Sequence, residues 1–290
     1  MSKSHQTPLA RVSELLRRAD AEGFAVPAFN YSDIWDFLAI VEAAEELAAP
    51  IFISSNQRVA TDIGIELCGA IGRAAMQKAS IPLIHHLDHS NQPALCRAAV
   101  DNGYPSVMID ASLRSLEVNI ATVKQVADYA HARGVMVEGE VGRIKGAGVE
   151  GVYTGDDFLA RVDEVLRFVR ETGVDSLAVG IGTAHGFYQG KPEIHFDRLR
   201  EINEAVSVPL VLHGGTGIPE QDIRRAIRGG INKVNVGTII HCTYMNTVRE
   251  ELQRLGENAY TLDVMKPARA AVREEVKKWI RSCLADGKGE

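Results

Sequence analysis

The stretch IPLIHHLDH (81 to 89) carries an apolar run into three histidines and one aspartate, groups that are costly to bury unless they are paired or coordinated. A solvated strand end would satisfy them, but the same kind of ending recurs along the chain. Asp110 closes SVMID (106 to 110), and Glu138 and Glu140 lie in MVEGEVG (136 to 142). SLAVGIG (176 to 182) runs into His185, His213 lies near the end of VPLVLHG (208 to 214), and Asn235 lies in KVNVGT (233 to 238). Three neutral imidazoles with an open fourth position suit a catalytic zinc, whereas structural zinc sites are closed and usually carry thiolates. His89, His185 and His213 are the expected ligands. Extended backbone would turn Asp88 to the opposite side from His89, toward a substrate rather than the metal. His86 shares a face with Asp88 and reads as an interior histidine that positions Asp88 by hydrogen bonding.

A second signal is glycine. AHGFYQG (184 to 190), LHGGTGIP (212 to 219) and VNVGT (234 to 238) place Gly186, Gly214, Gly215, Thr216, Gly237 and Thr238 just past apolar runs. Glycine lets backbone N–H groups approach an anion closely, although each one alone could simply make a turn. Beside a metal, the set points to a phosphorylated substrate.

The elements that must position these groups repeat regularly. Eight short apolar or β-branched runs, FAVPAFN (24 to 30), PIFIS (50 to 54), 81 to 89, 106 to 110, 136 to 142, 176 to 182, 208 to 214 and 233 to 238, are bounded by Gly, Pro or Asn. Helical spacing fills the intervals, as in DIWDFLAIVEAAEELAA (33 to 49) with Phe37, Ile40, Val41 and Ala44 on one face. Near-continuous apolar strands imply a helix-covered parallel sheet. Eight such units in about 250 residues fit a closed (β/α)8 TIM barrel, with a doubly wound open sheet as the alternative. In such barrels the chemistry sits at the C-terminal ends of the strands, with phosphate usually held after the seventh and eighth. No linker divides residues 1–290. The expectation is one α/β domain with an N-terminal helix at about 8–22, a barrel at about 24–250 and an added C-terminal helix at about 267–284.

Bulk composition narrows the function classes. The 290 residues are 46% hydrophobic and 24% charged with a formal net charge of -6, so no basic face invites nucleic acid. Cys68, Cys96, Cys242 and Cys283 are dispersed with no CxxC pair, which suggests neither a disulfide framework nor a thiolate cluster and fits a reducing, cytoplasmic compartment. The N-terminus lacks the apolar core of a signal peptide, and no run is apolar enough over roughly 18 residues to span a bilayer. Neither nucleic acid nor membrane is expected as a partner.

HLDH, EGEVGRI, GTAHGFYQGKP, LHGGTGIP and KVNVGT, in this order, resemble the class II, zinc-dependent ketose-bisphosphate aldolases of the fructose- and tagatose-bisphosphate type. The similarity runs from about Val26 to Val248 and returns weakly at KPARAAV (266 to 272). It implies that His89, His185 and His213 hold the zinc, and that Glu140 and Asp110 match positions that take the metal at an inner site. It further implies Asp88 as the acid/base at the C4 hydroxyl, and Glu150 as the candidate loop acid at C3. Gly186, Gly214, Thr216, Asn235 and Thr238 match the triose-phosphate pocket. A monovalent cation and a homodimer or homotetramer are further implications.

Two departures bear on substrate. Relatives that cleave fructose bisphosphate usually read N-x-D-T where this chain has Asn235, Val236, Gly237 and Thr238, and an arginine for the distal phosphate is replaced in the segment Tyr260, Thr261, Leu262. Arg58, in SSNQRVA beside Ser55 where relatives have a serine-bearing loop, could substitute, or could be a solvated surface residue. The expected reaction is reversible cleavage of a ketose phosphate or bisphosphate to dihydroxyacetone phosphate and an aldehyde, with zinc stabilising the enediolate as a Lewis acid and Asp88 moving the hydroxyl proton. No lysine ends a barrel strand, so a Schiff base is not expected. The competing readings are another metal-dependent lyase, isomerase or hydrolase on the same barrel, disfavoured for the amidohydrolase type by the missing HxH pair at the first strand, and a catalytically silent partner subunit.

Overall fold

A computed structural model describes residues 7–148, 151–188, 190 and 192–290. Among the described residues there are ten strands: β1 (Val26–Asn30), β2 (Ile51–Asn56), β3 (Leu83–Ser90), β4 (Ser106–Ile109), β5 (Met136–Val141), β6 (Gly146–Gly148), β7 (Gly151–Tyr153), β8 (Ser176–Val179), β9 (Leu210–Leu212) and β10 (Ile231–Val236). Eight of them close into a parallel barrel in the order β1-β10-β9-β8-β5-β4-β3-β2, which excludes the open sheet. The other two, β6 and β7, form an antiparallel hairpin beyond β5 that apolar periodicity did not signal. Between the barrel strands run α1 (Pro8–Glu22), α2 (Ile34–Glu46), α3 (Gln57–Asp62), α4 (Ile65–Lys78), α5 (Pro93–Asp101), α6 (Leu116–His131), α7 (Val162–Thr172), α8 (Phe196–Ala205), α9 (Glu220–Arg228), α10 (Thr238–Leu255) and α11 (Thr261–Ser282), with α1 ahead of the first strand and α10 and α11 after the last.

Local chemistry explains the element ends. The side chain of Asp33 accepts from the backbone N–H groups of Trp35 and Asp36, and that of Asp36 reaches back to the backbone N–H of Asp33. This closed capping box starts α2. The last helix corrects the expected start at 267. It begins six residues earlier, at Thr261, and carries Pro267 inside. Proline favours a first turn, but Val264, Ala268, Val272, Val276 and Ile280 recur every fourth residue and are all buried, so packing of that stripe overrides the local preference.

The main core lies between the barrel wall and the helices, built from residues such as Val107, Ile109, Leu177, Val179, Leu210 and Leu212. Strand alternation sends Met108, Ala178 and Val211 to the other face, where they form a separate small cluster inside the barrel. Branched aliphatic side chains usually fill such an interior. Here much of it is polar, with His86, Ser106, Glu138, Ser176 and Lys233 all buried. No helix among the described residues is long and apolar enough to cross a membrane.

The close approach of α4 to β3 is tight at one point. A Cβ at Gly72 would sit 2.1 Å from Nδ1 of His85, whose ring is stacked 3.9 Å from Tyr104 and lies 3.2 Å from the Tyr31 hydroxyl. Gly→Ala in a helix ordinarily gains about 0.5–1 kcal/mol, but a clamped ring cannot yield and overpacking costs about 1–3 kcal/mol. Gly72→Ala should therefore be destabilised in denaturant unfolding; an unchanged or raised midpoint would show that β3 has room to shift.

Candidate active site

The polar strand ends converge on one cavity of about 1020 Å³ at the C-terminal mouth of the barrel, lined by Asp88, His89, His185, Gly186, His213, Gly214, Thr216, Asn235 and Thr238 among others. Asp88 and His89 both face it, which corrects the expectation that they diverge. His89 adopts φ 45°, and pairing of β3 with β4 shifts register between Leu87 and Ser90. The extended alternation ends one residue too early to separate them.

Asp88 is held from two sides. Asn30 Nδ2 donates to its Oδ2 at 2.8 Å and Asn235 Nδ2 to its Oδ1 at 2.9 Å. His86 is interior and partnered, as expected, but its contacts are Ser106 Oγ at 2.8 Å and Lys233 Nζ at 3.4 Å. The predicted hydrogen bond from His86 to Asp88 is replaced by the two asparagine amides. Burial alone would raise the Asp88 carboxyl, but the positive charge around it, the Lys233 ammonium included, and the Asn30 amide outweigh it and hold it below its ordinary value.

The three histidines meet. Donor nitrogens of His89, His185 and His213 lie within 4.8 Å of one another, and His89 forms a second such group with Asp110 and Glu140. Nδ1 of His89 is 3.0 Å from Asp110 Oδ2, so its Nε2 faces His213 Nδ1 at 2.6 Å. The ring of His185 sits edge-on to that of His89 at 4.9 Å. Burial, above all, pushes His213 well below its ordinary value, which favours the neutral form in which imidazole binds a metal. Asp110 and Glu140 are buried and do not line the cavity. An all-imidazole primary group with a carboxylate behind it fits a catalytic divalent metal of the zinc type.

The glycine-rich exits are tied together behind the cavity wall. Gly214, at φ 71°, lies so close to the preceding loop that a Cβ would meet Ala184 O at 2.3 Å. Tyr188 OH donates to Gly214 O at 2.9 Å and accepts from Ala184 N at 3.0 Å. Ile239 N donates to Thr216 Oγ1 at 3.2 Å. Thr238 opens the 18-residue α10, so the exit of β10 is a helix N-terminus, a favourable place for an anion.

The distal side is less closely predicted. Arg58 lines the cavity from α3 with its side chain 83% exposed and 3.6 Å from Asp62. Ser55 is not in the cavity wall. It is buried, with its hydroxyl 2.8 Å from Tyr104 OH, because the alternation of β2 turns it away while Asn56, Gln57 and Arg58 follow into α3. Ser32 and His241, joined at 2.7 Å, line the cavity without having been singled out in the sequence. Glu150 lies outside the described residues.

Comparison with known proteins agrees with this architecture. Residues 10–288 match the family described as fructose-bisphosphate aldolase class-II. The chain is 36% identical over 280 residues to a 6-phospho-5-dehydro-2-deoxy-D-gluconate aldolase of Bacillus licheniformis, covering 96% of this chain and 95% of that protein. It is 31% identical to the YdjI aldolase of Escherichia coli K12, with a TM-score of 0.85 over 96% of this chain and 98% of that one. A solved structure from Coccidioides immitis is likewise 31% identical, with a TM-score of 0.89 and the same coverages. With nearly its whole length matched and its histidines gathered at the barrel mouth, this chain belongs to the class II fructose-bisphosphate aldolase family and is an aldolase, a carbon–carbon lyase.

Proposed function

We propose that this aldolase reversibly cleaves a ketose carrying one phosphate beside its ketone, releasing dihydroxyacetone phosphate and an aldehyde whose far end is a carboxylate or uncharged. The observation that carries the reading is the meeting of His89, His185 and His213 beside Asp88 in one cavity that Gly186, Gly214 and Gly215 also line. His89, His185 and His213 would hold a zinc ion, with Glu140 and Asp110 as the alternative position shared with His89. When bound, the zinc would supply Lewis-acid stabilisation of the negative charge that scission leaves on the substrate's oxygens.

The chain's own residues do the rest. Asp88, kept ionised by its surroundings, accepts the C4 hydroxyl proton as the carbon–carbon bond breaks and returns it in the condensation direction. Asn30 and Asn235 fix both carboxylate oxygens, so the acceptor lone pair is aimed before substrate arrives. Gly186, Gly214, Thr216 and Thr238 line the wall that takes the phosphate. At the far end, Arg58 is exposed and shared with Asp62, a poor substitute for a dedicated bidentate clamp on a second dianion. The Bacillus licheniformis relative is named for a phosphorylated keto-acid of the gluconate series, whose single phosphate and terminal carboxylate suit that arrangement.

Triose-phosphate release from a panel of ketose phosphates, with and without chelator, tests the whole reading. Chelation should abolish activity and zinc restore it, whereas activity that survives chelation and is trapped by borohydride would overturn the metal assignment. Asp88→Ala should keep zinc bound yet lose cleavage by about 10²–10⁴-fold; loss of the metal would instead make Asp88 a ligand.

Replacing the bidentate arginine contact by none costs about 1.5–3 kcal/mol, or roughly one to two orders of magnitude in specificity. Fructose 1,6-bisphosphate should accordingly be cleaved that much less efficiently than a single-phosphate substrate with a carboxylate tail. A bisphosphate preference that Arg58→Ala selectively removes would reverse this assignment of the tail. Gly214→Ala, by forcing the loop off Ala184, should raise KM for the phosphorylated substrate more than it lowers kcat, and a selective fall in kcat would place Gly214 outside phosphate binding.

A further inference from the structure

Beneath the histidines lies a buried ion pair that the proposed mechanism does not use. Strand β5 presents Glu138 two residues before Glu140, and β10 presents Lys233 two residues before Asn235, so both point into the barrel one layer below the cavity. Lys233 Nζ is 2.8 Å from Glu138 Oε2 and 3.0 Å from Oε1, and the side chains are 0% and 1% exposed. Ser176 Oγ donates to Oε2 at 3.2 Å. The ammonium also lies over the Phe52 ring at 5.1 Å. For stability alone, apolar side chains like the neighbouring Met108, Ala178 and Val211 would serve as well or better, because desolvating two charges offsets most of their attraction.

What the pair touches suggests its use. Glu138 Oε1 is 3.0 Å from Nε2 of His213. An ionised carboxylate only accepts, so Nε2 must carry the proton, and the lone pair of His213 is left on Nδ1. That nitrogen faces His89 Nε2 at 2.6 Å. His89 has the mirror arrangement, with Asp110 on Nδ1 and Nε2 turned inward. Lys233 keeps Glu138 ionised inside the barrel and is itself engaged by both carboxylate oxygens.

We propose that Glu138, charge-balanced by Lys233, is a positioning residue that fixes the tautomer and ring orientation of His213 and thereby strengthens metal binding. This rests on the zinc reading above. Carboxylates that orient a ligating histidine typically contribute 10–100-fold to metal affinity.

The test is zinc affinity of the metal-stripped full chain, measured by competition with a chromophoric chelator, alongside thermal unfolding. The double variant Glu138→Leu/Lys233→Met removes both charges at similar volume. It should stay folded with a Tm near or above that of the parent but bind zinc roughly 10–100-fold more weakly. Glu138→Gln/Lys233→Met, which keeps a neutral acceptor for His213, should recover part of that loss. A folded Leu/Met variant with parental zinc affinity, or a Gln/Met variant that binds no better than it, overturns the proposal. If the Leu/Met variant does not fold, the Gln/Met variant decides: affinity about tenfold weaker supports the role, and parental affinity rejects it. Absence of zinc binding by the unaltered chain would be a failure of the metal reading itself, separate from this one.

Discussion

A closed parallel barrel is a packed core below its mouth, so a polar group placed there needs a partner inside. This chain puts His86, Asp88, His89, Asp110, Glu138, Glu140, His213, Lys233 and Asn235 in that interior or at its mouth, all buried. They resolve into short connected pieces: Asp88 between two asparagines, His89 against Asp110, and His213 on the Glu138–Lys233 pair with His86 alongside. The first joins β1, β3 and β10 and the last reaches β3, β5 and β10 from the exit of β9, so neither is complete until the barrel closes. A local opening would strand at least one charge, and breaking a buried pair by removing one partner costs about 3–5 kcal/mol. The site and the closure of the fold are therefore coupled through the same hydrogen bonds.

The rim solves a different problem. The exits of β8 and β9 approach within a distance that no side chain at Gly214 could occupy, and Tyr188 bridges them with one hydroxyl that both donates and accepts. This spacing presents backbone from adjacent loops to the cavity beside the histidines that precede it, Gly186 after His185 and Gly214 after His213. Backbone donors on tightly braced loops are preorganised, which under the proposed reading suits the phosphate common to the substrates.

Much of this was legible in the sequence. Apolar runs between turn residues placed all eight barrel strands, because burial on both faces leaves a period-independent signal that survives without a partner. The three histidines and Asp88 stood out for the converse reason, as polar groups at the ends of such runs. What the sequence concealed was pairing. KVNV reads as a strand with a lysine at its start, and nothing local says that Lys233 answers Glu138 across the barrel. The extended-strand rule separated Asp88 from His89 because a positive φ at a non-glycine residue has no sequence signature. His86 was assigned to Asp88 by proximity on one strand, whereas Ser106 approaches from the neighbouring β4 and Lys233 from β10 across the barrel. Ser55 was assigned by motif position, and the register of β2 turns it toward Tyr104 instead. Pro267 misplaced a helix start since tertiary packing of a four-residue stripe outweighed a first-turn preference.

The two ends of the cavity differ in how their chemistry is carried, and this bears on specificity under the proposed reading. Under that reading the triose-phosphate end would use glycine backbone, a helix N-terminus and Asn235; Gly214 is wedged against Ala184 and Asn235 grips Asp88, so these two cannot change without disturbing the rim or the base. The far end would depend on Arg58, a side chain on α3 outside the barrel's hydrogen-bonded interior. Substitution there leaves Asp88 and the histidines in place. Arg58 is mostly exposed, so exchanging it alters the charge offered to the tail at little cost to folding. A scaffold so divided can keep one half-reaction fixed while the aldehyde half varies, which accounts physically for relatives of similar fold named for different substrates.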